Sequence, residues 1–265
     1  MADIEEVYPR LSTVYGPVES WRLGRSLGID LLFVNSICSF RCVYCQLGRI
    51  NEHTDRRSVF VPTRQVIADL HKSDWRSADV VTFSGSGEPT LAGNLGEAIR
   101  AARAVTEKDI VVLTNAAHLN DEEVVADLSL ADSVYCKLDA SDEASFRRIN
   151  RPVRSITLES VVEGIKRFRA SYEGYIAIQS MYRPYNDAQF EALCGTLREI
   201  GPDEVKINTP TRAIPREWFI EARGNYETTP YPAITPRKVP PEYVEDLRSR
   251  LESATGLVVV TRPSD

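Results

Sequence analysis

Short apolar runs alternate with segments of helical periodicity along most of this 265-residue chain. The predicted strands cover residues 28–34, 80–84, 110–114, 134–138, 175–181 and 204–208. The predicted helices cover residues 63–72, 95–105, 121–128, 158–170 and 188–200. Right-handed crossovers on repeated βα units form either an open doubly wound sheet or a barrel, and both carry their chemistry in loops at the C-terminal strand ends. The sequence therefore predicts an α/β fold with a site at that edge.

The C-terminal part of the chain differs in composition from these alternating segments. It is rich in proline after Asn208, and a helical pattern from Glu242 and an apolar run at 257–260 follow. We predict a core over residues 1–210. Residues 211–265 are predicted to form a C-terminal extension that packs on the core and is not an independent domain.

Charge and hydropathy limit the partners that we expect. The net charge of -6 disfavours a nucleic-acid partner, because Lys and Arg drive phosphate binding. A basic segment between Arg147 and Arg169 is the local exception, and it is either an anion-binding face or the solvated surface of a helix. The acidic N-terminus does not resemble an export signal, and no run of about 18 apolar residues occurs. We expect a cytoplasmic protein without membrane contact.

Three of the five cysteines, Cys38, Cys42 and Cys45, lie within eight residues. Such clustering favours metal chemistry over disulfides. Three thiolates at this spacing can ligate one cubic iron–sulfur cluster from a short loop and leave one iron without a protein ligand. A structural zinc site or an electron-transfer cluster is the alternative, but each needs a fourth ligand, and the nearest candidate for zinc is the distant His53.

The segment CSFRCVYC at residues 38–45 resembles the signature of the radical S-adenosylmethionine (radical SAM) superfamily, in which an aromatic residue, here Tyr44, precedes the last cysteine. The resemblance implies a partial (β/α)6 barrel and a [4Fe-4S] cluster whose open iron chelates S-adenosylmethionine (SAM). It implies one-electron cleavage of SAM to a 5'-deoxyadenosyl radical, with the adenine near Tyr44. It also implies an electron donor such as flavodoxin or ferredoxin.

A second motif, SGSGEP at residues 84–89, follows the second predicted strand. Its glycines allow a close approach of the backbone to a ligand, and Glu88 offers a carboxylate to an ammonium group. The motif resembles the Gly-Gly-Glu-Pro segment of the family, with Ser86 in place of the first glycine. The resemblance implies that Gly85, Ser86, Gly87 and Glu88 bind the cofactor.

Further candidate residues lie at or near the ends of the later strands: Asn115, Lys137, Asp139, Gln179 and Lys206. Lys137 and Asp139 share one face of their strand, because side chains alternate with period two. Asn115 resembles a family turn that lies beside the cofactor. We predict cofactor contacts for all of these except Lys206, and catalytic roles for Lys137 and Lys206. A Lys137–Asp139 ion pair without a catalytic part is the alternative.

The phrases GEPTL at 87–91, LDA at 138–140 and NRP at 150–152 resemble a group of small proteins related to the wyosine-tRNA synthase family. That family modifies a guanosine in tRNA and binds a second cluster through additional cysteines, none of which precedes Cys38 here. We expect a single-cluster oxidoreductase that abstracts hydrogen from an unidentified substrate, with tRNA or another anionic molecule as the candidates. The alternatives are an activase that installs a glycyl radical on a partner protein, and a non-enzymatic electron carrier.

Overall fold

The computed structural model describes residues 12–33, 35–182, 184–223 and 232–262. Its strands are, in chain order, β1 (Val14–Ser20), β2 (Gly24–Ile29), β3 (Ile37–Cys38), β4 (Glu52–His53), β5 (Val80–Phe83), β6 (Asp109–Thr114), β7 (Ser133–Lys137), β8 (Tyr175–Met181), β9 (Glu204–Asn208), β10 (Ile214–Pro215), β11 (Ala233–Ile234) and β12 (Val259–Thr261). Its α-helices are α1 (Thr63–Lys72), α2 (Leu95–Thr106), α3 (Glu122–Leu128), α4 (Glu143–Ile149), α5 (Leu158–Ser171), α6 (Phe190–Ile200) and α7 (Pro241–Thr255).

The main sheet is curled and has the strand order β1-β2-β5-β6-β7-β8-β9-β12. From β2 to β12 all neighbours are parallel, and β1 alone is antiparallel to β2. Alternate residues such as Val81, Val112, Val134 and Ile178 are fully buried in the main hydrophobic core together with apolar residues of the helices. The predicted partial barrel is confirmed, and the helices cover the outer face of its sheet.

Helix ends agree with local sequence signals. Thr157 caps α5 in a reciprocal capping box with Ser160. Helix α6 ends at Gly201, which adopts a left-handed conformation that costs glycine little. Proline in the first turn of α7 fits because that position has no intrahelical partner for a backbone N–H. Within the described residues, no helix is both long and apolar enough to cross a bilayer.

The first predicted strand is displaced. Strand β2 ends at Ile29, whereas the prediction covered 28–34, of which Val34 lies outside the described residues. Leu31, Leu32 and Phe33 are buried in a turn that leads to the cysteines. An apolar run signals burial, but its periodicity does not separate a short strand from a buried turn.

Strand β1 and helix α4 were not predicted, and β12 was recognised only as an apolar run. Strand β1 contains Pro17, which a sheet tolerates at its edge. Strand β12 pairs in parallel with β9, and α7 packs beside it through the buried residues Leu247 and Leu251. This part of the extension therefore shares the sheet of the core, and the division of the chain at residue 210 stays a prediction.

Candidate active site

The cysteine loop and the glycine-rich loop lie against each other at the C-terminal edge of the sheet. Ile37 donates its backbone N–H to the Ser86 carbonyl at 2.9 Å, and Glu88 donates its N–H to the Ile37 carbonyl at 3.0 Å. A Cβ atom on Gly87, at φ +158°, would lie 1.7 Å from the Ile37 carbonyl oxygen. Glycine at this position is therefore required for the contact between the two loops.

The Glu88 carboxylate, which is 2% exposed, ties the glycine-rich loop to the end of β6. One oxygen, Oε1, accepts hydrogen bonds from the Thr90 backbone and hydroxyl at 3.1 and 2.7 Å and from the Thr114 hydroxyl at 2.7 Å. The other, Oε2, accepts from the Asn115 backbone at 2.6 Å. Four donors of the protein already satisfy this carboxylate, so contact between its side chain and a cofactor ammonium group stays a prediction.

Ser86 bonds to a buried carboxylate, Asp30. Its hydroxyl and backbone N–H both donate to Asp30 Oδ2, at 2.6 and 3.1 Å. Asp30 also pairs with Arg223 at 3.3 Å, and a Cβ atom on Gly85 would lie 2.5 Å from the Asp30 Cγ atom. Burial raises the pKa of Asp30, and the Arg223 charge partly offsets this effect. The hydroxyl and N–H of Ser86 are therefore engaged by Asp30 and its carbonyl by Ile37, and the predicted cofactor contact of Ser86 stays a prediction.

Two asparagine amides lie beside the cysteine sulfur atoms. Asn115 Nδ2 is 3.7 Å from Cys38 Sγ and donates to the Ser39 hydroxyl at 2.9 Å. Asn150 Nδ2 is 3.6 Å from Cys42 Sγ. These amides are placed to donate to thiolate sulfur, which tunes an iron–sulfur centre. Asn150 was noted in the sequence only as part of NRP, and nothing local indicated its position beside Cys42.

The three thiols are free and partly buried. Burial raises the pKa of Cys42 to about 12, with the Asp139 charge as the second cause. Burial also raises the pKa of Cys38 and Cys45, and for Cys38 the charge of Glu88 adds to the effect. Thiols in this environment become thiolates when cations replace their protons, as happens on metal binding.

Asp139 is the centre of a buried network behind Cys42. Its carboxylate accepts hydrogen bonds from the Tyr44 hydroxyl, from Asn150 Nδ2 at 2.6 Å and from the Met181 backbone at 2.7 Å. It also pairs with Lys137 Nζ at 3.2 Å. Lys137 lies 4.9 Å from the centre of the Tyr44 ring, so its ammonium group is held at the mouth of the barrel beside the cysteine loop.

Lys137, Gln179 and Lys206 are neighbours across β7, β8 and β9, so they share the inner face of the sheet. Lys206 Nζ pairs with Glu204 at 2.7 Å and lies 5.3 Å from the centre of the Tyr135 ring. Tyr135 belongs to a small apolar cluster that fills the inner face. The register of the sheet aligns Lys206 with Gln179 and Lys137, and the roles predicted for these residues stay predictions.

Three of the seven basic residues between Arg147 and Arg169 have carboxylate partners. Arg147 bonds to Glu143 at 2.6 Å, and Arg169 pairs with Asp203 at 2.9 Å. Lys166 pairs with Glu163 and Glu199 at 2.9 and 3.2 Å. The solvated, ion-paired surface is the alternative that agrees with these contacts.

A family model described as the Radical SAM superfamily matches residues 32–197. This chain belongs to that superfamily, and the resemblance seen at the cysteines is confirmed. It is 42% identical over 254 residues to a UPF0026 protein of Synechocystis sp., covering 94% of this chain and 96% of the relative. A UPF0026 protein of Methanocaldococcus jannaschii is 34% identical over 218 residues, covering 80% and 67%.

Two solved structures illustrate the likeness of fold. TYW1 with a lysine–pyruvate adduct bound has a TM-score of 0.62 and 16% identity, covering 88% of this chain and 75% of TYW1. Streptococcus suis SuiB bound to S-adenosylmethionine has a TM-score of 0.61 and 15% identity, covering 88% of this chain. This chain spans 50% of the length of SuiB.

The residues at the site fit the two cofactors of the superfamily. Among the described residues, no three His, Cys, Asp or Glu side chains are placed to hold a single metal ion, whereas a [4Fe-4S] cluster takes each cysteine on a separate iron. Asn150 Oδ1 is buried without a partner beside Cys42 and Tyr44, where amino or hydroxyl groups of SAM could donate to it. The chain is an iron–sulfur enzyme with a [4Fe-4S] cluster and SAM as cofactors.

Proposed function

We propose that this enzyme cleaves SAM reductively and uses the resulting radical to abstract hydrogen from an anionic substrate, with tRNA among the candidates. The contact between the cysteine loop and the glycine-rich loop supports this best, because it brings the cluster ligands beside the predicted SAM-binding backbone. The bound cluster and SAM together supply a 5'-deoxyadenosyl radical. A reduced flavodoxin or ferredoxin would supply the electron.

In this proposal, the residues at the site have separate roles. Cys38, Cys42 and Cys45 would hold three irons, while the amides of Asn115 and Asn150 donate to sulfur. Lys137, which Asp139 holds at the barrel mouth, would place a positive charge near the SAM carboxylate.

TYW1, which this chain resembles in fold, has been solved with a lysine–pyruvate adduct, so a lysine nucleophile is one role to weigh for Lys137 and Lys206. Lys137 and Lys206 both form ion pairs here, with Asp139 and Glu204. The Nζ atom that would attack a carbonyl is already engaged by a carboxylate in each lysine. We therefore propose both lysines as charged groups that position ligands and not as nucleophiles.

The test is anaerobic reconstitution of the full chain with iron and sulfide. We expect about four irons per chain and release of 5'-deoxyadenosine when dithionite and SAM are added. Replacing Cys38, Cys42 and Cys45 together by Ala should remove the cluster absorbance and the product. Cys194→Ala is the matched control, because Cys194 is buried in the hydrophobic core. An intact cluster spectrum in the triple variant would overturn the proposal.

A further inference from the structure

The segment at the end of α4 runs directly beside the cysteine loop. Arg41 donates its backbone N–H to the Arg151 carbonyl at 3.2 Å, and Val43 donates its N–H to the Ile149 carbonyl at 2.9 Å. These hydrogen bonds fix two stretches of chain side by side, although they are remote in sequence. The side chains around the cysteines therefore include residues from both stretches.

The paired stretches have a buried face and an exposed face. Phe40 and Asn150 are each 2% exposed, whereas the residues that follow them, Arg41 and Arg151, are exposed. Cys42 directly follows Arg41 and is itself only partly buried. The exposed face is therefore a part of the protein surface that lies next to a predicted cluster ligand.

This exposed face is basic. Besides Arg41 and Arg151 it includes Arg148 and Arg154, which belong to the α4 stretch and are exposed as well. In the described part of the chain, none of the four forms an ion pair with a carboxylate. The whole chain has a net charge of -6, so a group of neighbouring cations without ion pairs departs from its average surface. Such a group attracts an anionic partner.

Val43 adds an apolar element to the same face. Its side chain is 36% exposed, and the residue that it bonds to, Ile149, directly follows Arg148. An apolar side chain bordered by polar and charged ones is the typical arrangement of a protein–protein interface. Nucleic-acid binding relies mainly on phosphate contacts, to which a valine adds little. The face therefore favours an acidic protein over RNA.

We propose that Arg41, Val43, Arg148, Arg151 and Arg154 form the docking surface for a small acidic electron-transfer protein of the flavin or iron–sulfur type. Only the partner's role as electron donor rests on the proposed function. In the transfer the reduced partner gives up one electron and the cluster takes it up, and no bond forms or breaks. Electron transfer slows steeply with distance, and Cys42 lies in the chain between two residues of this surface. Complexes of electron-transfer proteins are typically small and electrostatically steered, which agrees with four arginines around one valine.

The experiment is calorimetric titration of the anaerobically reconstituted full chain with oxidised flavodoxin and, separately, with oxidised ferredoxin at low ionic strength. No electron moves between oxidised partners, so the titration measures docking alone. The wild type should bind at least one of the two proteins. Arg41→Gln combined with Arg151→Gln should raise its Kd by at least about tenfold, because two cations of the surface are lost. Added salt should reduce this difference.

The control is Arg100→Gln combined with Arg198→Gln. It removes the same two charges from exposed positions on α2 and α6 and should bind as the wild type does. The rate of cluster bleaching is a second readout. The reduced partner protein should bleach the cluster of the Arg41 and Arg151 variant at least about tenfold more slowly than that of the wild type. Photoreduced deazariboflavin, a small uncharged donor, should bleach both at the same rate.

Equal affinity in the wild type and the Arg41 and Arg151 variant, or no binding of either protein by the wild type, would overturn the docking surface. An equal loss of affinity in the control would also overturn it, because net charge alone would then explain the binding. Weaker tRNA binding in the Arg41 and Arg151 variant, with affinity for the partner protein unchanged, would assign the face to RNA instead.

The docking surface and the proposed reaction can fail separately. Arginine-dependent docking without release of 5'-deoxyadenosine would keep the surface and remove the reaction. Release of 5'-deoxyadenosine with photoreduced deazariboflavin, but without docking of either protein, would keep the reaction and remove the surface.

Discussion

The two sides of the barrel mouth differ in whether their charged side chains have partners. On the cysteine side, Glu88 and Asp139 are buried carboxylates that receive several donors each from the chain itself. On the arginine side, the Arg22 Nε atom is buried without a hydrogen-bond partner and Arg212 donates to Gln46, and neither arginine has a carboxylate partner among the described residues. Buried charge is tolerated where it is paired, which holds for the two carboxylates on the cysteine side and does not hold for Arg22.

The largest effect should come from Glu88→Ala, which removes the acceptor of four hydrogen bonds. Buried donors at Thr90 and Asn115 would be left unpaired, and we expect a loss of about 3 kcal/mol in the free energy of unfolding in urea. Glu163→Ala is the control: its carboxylate is 51% exposed, and its loss should cost less than about 1 kcal/mol. Equal losses would show that the Glu88 network adds little to stability.

Asp139→Asn tests the second carboxylate on the cysteine side. The amide replaces one acceptor oxygen with a donor and removes the ionic partner of Lys137. We expect a loss of about 2 kcal/mol, measured by the same urea titration. Asp246→Asn, on the exposed surface of α7, should change stability by less than about 0.5 kcal/mol. A comparable change in both variants would contradict the importance of the Asp139 network.

The smallest effect is expected on the arginine side. Arg212→Met should leave the free energy of unfolding within about 0.5 kcal/mol of the wild type, because Arg212 is exposed and no ion pair is broken. Arg223→Met is the matched comparison, because it leaves the buried Asp30 carboxylate without its ionic partner. It should lower the free energy of unfolding by at least about 2 kcal/mol. If Arg212→Met cost as much as Arg223→Met, the contrast between the two sides would be wrong.

Much of the fold followed from local patterns. The alternation of apolar runs and helical segments predicted the parallel part of the sheet from β5 to β9, because period-two and 3.6-residue patterns are properties of neighbouring residues. Strand β1 was not predicted, because it contains Pro17 and proline is tolerated in a strand only at a sheet edge. Whether a strand lies at an edge depends on the whole sheet and not on neighbouring residues. The strand predicted at 28–34 was placed too far along the chain for a similar reason. Residues 31–33 are buried, but they are buried in a turn and not in a strand.

The candidate site was also predicted only in part. The spacing of Cys38, Cys42 and Cys45 and the motif at 84–89 pointed to the superfamily, because a short loop must place three thiolates around one cluster. The sequence could not show that Asn150 lies at Cys42 or that the donors around Glu88 come from its own loop and from β6.

The sequence by itself therefore determined the class of enzyme and predicted the residues that hold its cluster, since both depend on spacing within a few residues. Only the tertiary structure decided which charges are paired. Arg147 and Arg169, near α5, have carboxylate partners, whereas Arg22 and Arg212 have none among the described residues. Charge pairing depends on distances between segments that are remote in sequence, and the fold sets those distances.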